Sequence, residues 1–124
     1  MGIRWDTSTD EFFYGKRLSR PEGALSKRIV LSLVASIYDP IGLIVPIIII
    51  GRVLLQRATA SKVTWDEALP TDITRPWEAW WEMLDELPNL RFPRCMIGYM
   101  EPSLEVQLHF FCDASEKAFG TAAY

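Results

Sequence analysis

KRIVLSLVASIYDPIGLIVPIIIIGRVLLQ, residues 27–56, is the most apolar stretch of this 124-residue chain, and its reading decides the fold. Two structures use so much apolar surface, a buried helix pair or a membrane span. A spanning helix needs roughly 20 apolar residues with few or no charges. Here Asp39 and Arg52 lie inside the run, Asp39-Pro40 breaks it, and Pro46 and Gly51 interrupt its second half. The charge-free piece, 41–51, is too short to span, so the pattern favours a buried core.

Val30, Leu33, Val34 and Ile37 recur at i, i+3, i+4 and i+7, which places them on one face of a first helix. Ser26 is its expected N-cap. Pro40 is expected to end it, because it lacks an N–H and pushes Asp39 out of the α region. Asp39 can then cap a second helix with Pro40 at its first position. Ile47, Ile50, Gly51, Leu54, Leu55 and Ala58 share a face of that helix. Pro46 either kinks it or starts it afresh, and the β-branched tract 47–50 is also compatible with a strand.

Around this centre, residues 1–14 read as a β-hairpin. Ile3 and Trp5 alternate, residues 6–10 form a polar turn, and Phe12-Phe13-Tyr14 resumes the strand. Asp6-Thr7-Ser8 is similar to an aspartic-peptidase Asp-Thr/Ser-Gly loop, with Ser in place of the Gly, and a turn explains it fully. Residues 15–23 form a basic connector containing Pro and Gly. Thr64-Trp65-Asp66-Glu67 fits a capping box closed by Pro70. Residues 71–87 read as a third helix with Trp77, Trp80, Trp81 and Leu84 on one face. That stripe fits helix packing better than base stacking, since Glu78, Glu82, Asp85 and Glu86 make the other face acidic. Residues 104–112 alternate as a strand and 120–124 start a second antiparallel one. That strand stops with the chain, as a fragment would.

Hydrophobic content of 49% excludes general disorder, and a net charge of −3 gives no global case for nucleic-acid binding. The basic residues are uneven, however. Lys16, Arg17, Arg20, Lys27 and Arg28 cluster near the start, as either a solvated face or a phosphate-contacting strip. Cys95 and Cys112 lack metal-ligand spacing, and the one His makes no cluster with them. The N-terminus has no apolar h-region, so no signal peptide is expected.

Asp113 follows an apolar strand and precedes small residues. Such a position can hold a carboxylate at a sheet surface for Mg²⁺, as in two-metal phosphoryl hydrolysis. One carboxylate does not make that site. An aspartic peptidase also needs two aspartates sharing a proton, and the Asp-Thr/Ser-Gly loop is replaced by Asp113-Ala114-Ser115. An Asp opening a turn is the plain structural alternative.

Taken together, these motifs resemble the Pol polyprotein of Bel/Pao-type LTR retrotransposons, in the region named the Pao retrotransposon peptidase family. The resemblance rests on residues 2–6 with Asp10 and Phe12, on KRIVLSLVASIYDPIGLIVP at 27–46, and on Leu55-Gln56 and Trp65-Asp66-Glu67. It continues through Trp77 and Trp80, Phe92-Pro93-Arg94 and LHFFCDASEKAFGTAAY at 108–124. Tyr38-Asp39-Pro40-Ile41-Gly42 and the terminal DAS-x-x-A-x-G are its most specific parts. The resemblance implies an α+β segment between reverse transcriptase and RNase H. Residues 1–23 would end the polymerase palm, 24–100 would form a thumb- or connection-like helical region, and 101–124 would open an RNase H-like domain with a β-hairpin. It further implies that Asp113 is the catalytic and metal-binding position. Mg²⁺ would be held only in a complete RNase H domain, and this chain would be inactive alone. The implied partners are the rest of the polyprotein and an RNA–DNA hybrid, and the implied location is a cytoplasmic virus-like particle, with no membrane. The family's name implies the alternative, an aspartic peptidase that processes its own polyprotein.

Overall fold

A computed structural model describes residues 1–15, 18–95, 105 and 107–123. The order is β1 (Ile3–Asp6), β2 (Glu11–Tyr14), α1 (Lys27–Ala35), α2 (Val45–Ala60) and α3 (Thr71–Glu86). A 3₁₀ turn at Leu87–Asn89, β3 (Arg91–Pro93), β4 (Phe110–Ala114) and β5 (Phe119–Ala123) follow. The fold is mixed α+β, with three helices and two small antiparallel sheets among the described residues. The chain divides into two compact units, Met1–Arg94 and Cys95–Tyr124.

In the first unit β1 and β2 form the expected hairpin, and β3 joins β2 from far along the chain. Asp10 closes the hairpin turn at φ 57°, a left-handed conformation that Asp tolerates better than most side chains. The helices follow in sequence and pack α1 on α2 and α2 on α3. The core is built from Val30 and Val34 of α1, Ile48, Leu54 and Ala58 of α2, and Trp77, Trp80, Trp81 and Leu84 of α3, with Tyr14 and Leu87 joining it. The tryptophans pack on one another, with Trp77 and Trp80 centroids 4.9 Å apart. An aromatic of this size buries about 150–250 Å², which at about 25 cal/mol per Å² is an upper bound of roughly 4–6 kcal/mol each. The α3 stripe places three such side chains, Trp77, Trp80 and Trp81, in the core.

The apolar run is divided differently from its sequence reading. Ser26 caps α1 as expected, its hydroxyl accepting from Ile29 N at 3.4 Å. The helix ends at Ala35, well before Pro40. Tyr38 N donates to Met1 O at 2.8 Å and pairs in a bridge with Gly2, so the N-terminal segment draws residues 37–39 out of the helix. Asp39 does not cap α2 with Pro40 in its first turn. It accepts from Leu43 N at 3.1 Å and Ile44 N at 3.0 Å, capping a separate turn in which Gly42 takes φ 79°. Pro46 starts the next helix afresh, and the tract at 47–50 is helical rather than a strand. Ile48 rather than Ile50 faces the core, because the helix starts at Val45 and its buried stripe runs Ile48, Gly51, Leu54, Ala58.

Thr64 N donates to Glu67 Oε2 at 2.7 Å, half of the expected capping box, but residues 64–67 form bends and no helix follows directly. In the second unit, the strand expected at 104–112 begins only at Phe110; residues 107–109 are irregular, and Leu104 and Val106 lie outside the described residues.

Candidate functional site

Asp113 lies within β4 and does not open the turn that follows. It sits opposite Gly120 in the antiparallel β4–β5 ladder. Side chains of directly opposed residues share a face. One face therefore carries Phe110, Cys112, Ala114, Phe119, Thr121 and Ala123, and the 3.3 Å approach of Cys112 Sγ to Thr121 Oγ1 fits that register. The other face carries Phe111, Asp113, Gly120 and Ala122. Across the ladder from Asp113 the neighbours Gly120 and Ala122 are small, while Phe111 lies two residues back on the same strand, and a Cβ placed on Gly120 would meet nothing within 4 Å. The carboxylate is exposed, and its Oδ1 accepts from Ala114 N at 2.8 Å.

The turn after β4 is shaped by Ser115. Its backbone N donates to Ala118 O at 2.8 Å, and its hydroxyl accepts from Ala118 N at 3.2 Å. That tight closure sets the Asp113–Gly120 register. Among the described residues no group of three His, Cys, Asp or Glu side chains converges. A single exposed carboxylate supplies too few ligands for Mg²⁺, which demands near-octahedral oxygen coordination. The residues present do not by themselves fit the ion.

The basic strip is largely taken apart. Lys16 and Arg17 lie outside the described residues. Lys27 is buried, at 7% exposure, and its Nζ donates to Thr59 O at 3.2 Å and Ser61 O at 2.9 Å. It caps the C-terminal end of α2, where free carbonyls and the helix dipole favour a cation, and so is not a surface phosphate contact. Arg20 pairs with Glu78. Arg28 forks onto Asp66, with Nε 2.7 Å and Nη2 3.1 Å from its two oxygens, and this contact holds the Asp66 carboxyl below its usual range.

A different group of cations comes together on the first unit's sheet. Register places Arg4 opposite Phe13 and Phe13 opposite Arg91, so the three side chains share one face. The Arg91 guanidinium lies 4.3 Å from the Phe13 ring centroid. Sequence reading passed over this row, because Arg91 reaches Phe13 only through the long-range β2–β3 pairing. The alternation of β1 and β2 was the one local signal available. The peptidase-like tripeptide in the same hairpin is a plain Asp turn: Asp6 Oδ1 accepts from Ser8 N at 3.0 Å and from Ser8 Oγ at 2.6 Å.

The family model described as Pao retrotransposon-like RNaseH-like domain matches residues 26–124. No curated protein and no solved structure matches the chain. Among the described residues no helix is long and apolar enough to cross a membrane.

Proposed function

The chain belongs to the Pao retrotransposon-like RNaseH-like domain family, and on that premise we propose that it is a connecting segment of a retrotransposon Pol polyprotein that leads from reverse transcriptase into RNase H. In this reading the first unit is a structural support beside an RNA–DNA hybrid, and the second unit opens the nuclease fold. The observation that carries the reading is the placement of Asp113. It projects from within a strand onto an exposed face opposite Gly120, where the facing residue has no side chain to block an approaching nucleic-acid backbone. A carboxylate so placed suits metal-assisted phosphoryl hydrolysis once further acidic ligands are supplied from other parts of the polyprotein. Mg²⁺ would be the ion, bound by the completed set rather than by Asp113 alone.

The test is hybrid cleavage by the parent polyprotein, with Asp113→Asn as the variant and a polyprotein-junction peptide as the second substrate. Mg²⁺-dependent cleavage of the labelled RNA strand, lost in the variant, is the expected result. Peptide cleavage without added metal, lost in the same variant, would replace the nuclease reading with a peptidase one.

A further inference from the structure

The Arg4–Phe13–Arg91 face of the β1–β2–β3 sheet is not part of the core of the first unit. Arg4 and Arg91 are exposed, and Phe13 lies between them. Among the described residues neither arginine is held in a salt bridge. Arg91 stacks on the Phe13 ring. A guanidinium held over an aromatic ring gains a cation–π attraction and so has less freedom left to lose on binding. The Arg4 stem runs over Gly15, where an added Cβ would come within 2.3 Å of its Cδ. Gly15 therefore leaves room for Arg4 to lie along the sheet.

Resting on the reading above, we propose that the Arg4–Phe13–Arg91 row is a contact surface for the sugar–phosphate backbone of an RNA–DNA hybrid. Two strand spacings of about 4.8 Å separate Arg4 from Arg91 at the backbone. Phosphates a few nucleotides apart on one strand, at about 3.4 Å of rise each, span that distance. Guanidinium forks match phosphate oxygens in pairs. The face is polarised. Asp6 and Glu11 lie on it toward the hairpin turn, and Arg91 already acts weakly on Asp6. The backbone therefore crosses at the Gly15 end, away from these acids. The chain's net charge of −3 gives no general attraction to nucleic acid, so affinity there has to be local. β1 and β2, with Arg4 and Phe13, lie outside the matched residues 26–124, whereas β3 with Arg91 lies inside them.

The experiment is fluorescence anisotropy of a labelled RNA–DNA hybrid with the full chain, titrated across salt. The decisive variant combines Arg4→Gln with Arg91→Gln, which keeps the aliphatic stems and removes both charges. We expect its affinity to fall at least tenfold at low salt. The slope of log affinity against log salt should fall by about 2, since each phosphate contact contributes about 0.9. Arg20→Gln with Arg28→Gln, whose cations already sit against carboxylates, should leave that slope unchanged. Thermal melting checks that each variant is folded, and Arg4→Lys with Arg91→Lys should restore most of the slope. The proposal is overturned if the wild-type chain does not bind the hybrid, if the Gln pair binds like wild type, or if both double variants weaken binding equally. It is also overturned if polyglutamate displaces the hybrid at equal charge concentration, which would make the face a dock for an acidic protein. Loss of binding here and loss of cleavage at Asp113 are read on different variants and different signals, so either reading can fail alone.

Discussion

Gly51 of α2 and Trp80 of α3 approach so closely that a Cβ on Gly51 would lie 2.4 Å from Trp80 Cζ2. The Trp80 indole is held along this same edge, because Nε1, two bonds from Cζ2, donates to Ile47 O at 2.8 Å. The ring is 1% exposed and has no room to retreat. Gly51→Ala gains up to about 1 kcal/mol of helix propensity. Overpacking costs about 1–3 kcal/mol. The net outcome is a lower melting temperature, by several degrees, measured by circular dichroism. An unchanged or higher melting temperature would show that the two helices separate more readily than this packing allows.

Asp39 ties the turn before α2 to Tyr14 of β2. It accepts from Leu43 N, Ile44 N and the Tyr14 hydroxyl, the last at 2.8 Å. Asp39→Ala leaves a buried phenol and two amide donors without their partner. The expected cost is about 2–3 kcal/mol in a denaturant titration, with Asp39→Asn less damaging because it retains an acceptor. Gly42→Ala in the same turn should cost about 1–2 kcal/mol, since φ 79° is unfavourable for a residue with a Cβ.

The Tyr14 phenol, 0% exposed, has its pKa raised well above the ordinary range, first by burial and then by its hydrogen bond to the Asp39 carboxylate. Its neutral form is the one the fold accommodates. The stability linked to it is fully present below the unfolded-state pKa of about 10 and is lost as pH rises from there toward the folded value. Unfolding free energy should therefore fall with pH above about 10. Tyr14→Phe should lose the hydrogen bond, worth about 1 kcal/mol at neutral pH, and should flatten that alkaline slope. An alkaline slope identical in the two proteins would mean that Tyr14 is not its source.

At the opposite end of the pH range, Asp10 titrates below its ordinary value, chiefly because Arg94 hydrogen-bonds it, with Nε at 2.6 Å and Nη2 at 3.0 Å. Stability from this contact is present above the unfolded pKa near 4 and is lost as pH falls through the depressed folded value. The Trp5 indole also donates to Asp10, so its amide and indole NMR shifts should move in the same acid transition. Asp10→Asn should keep the left-handed turn and abolish the transition. If Trp5 titrates unchanged in that variant, another acid governs it.

Lys27→Met tests the cation that the structure removes from the basic strip. The Nζ donates to two carbonyls at the end of α2, and Met cannot replace those bonds. A loss of about 1–3 kcal/mol is expected, with no change in the salt slope of hybrid binding. A changed slope would return Lys27 to the surface.

The legible parts of the fold were those set by local periodicity and by single residues with one strong preference. The α3 stripe of Trp77, Trp80, Trp81 and Leu84, the Ser26 cap and the first hairpin all follow from spacing over a few residues. The helix boundaries between 35 and 45 were not legible. Pairing of Tyr38 with Met1 and Gly2 competes with helix continuation there, and such pairing leaves no periodic trace. Asp113 was legible as a residue because a strand pattern runs into it. Its place within β4, facing Gly120, depends on a ladder closed by Ser115.

By itself the sequence determined the three helices, the first hairpin, the α+β class and the family resemblance, because these depend on hydrophobic period, turn residues and motif spacing carried along the chain, whereas β3 at Arg91–Pro93, in a stretch that reads as irregular, depends on pairing with β2. Tertiary structure alone decided which cations stay available. Lys27 and Arg28 are neighbours in sequence, yet one is buried on the end of α2 and the other is held by Asp66. Arg4 and Arg91 are far apart in the chain and meet on one sheet face through Phe13. A charge is one local letter, but its availability depends on what the folded chain brings within hydrogen-bonding distance of it.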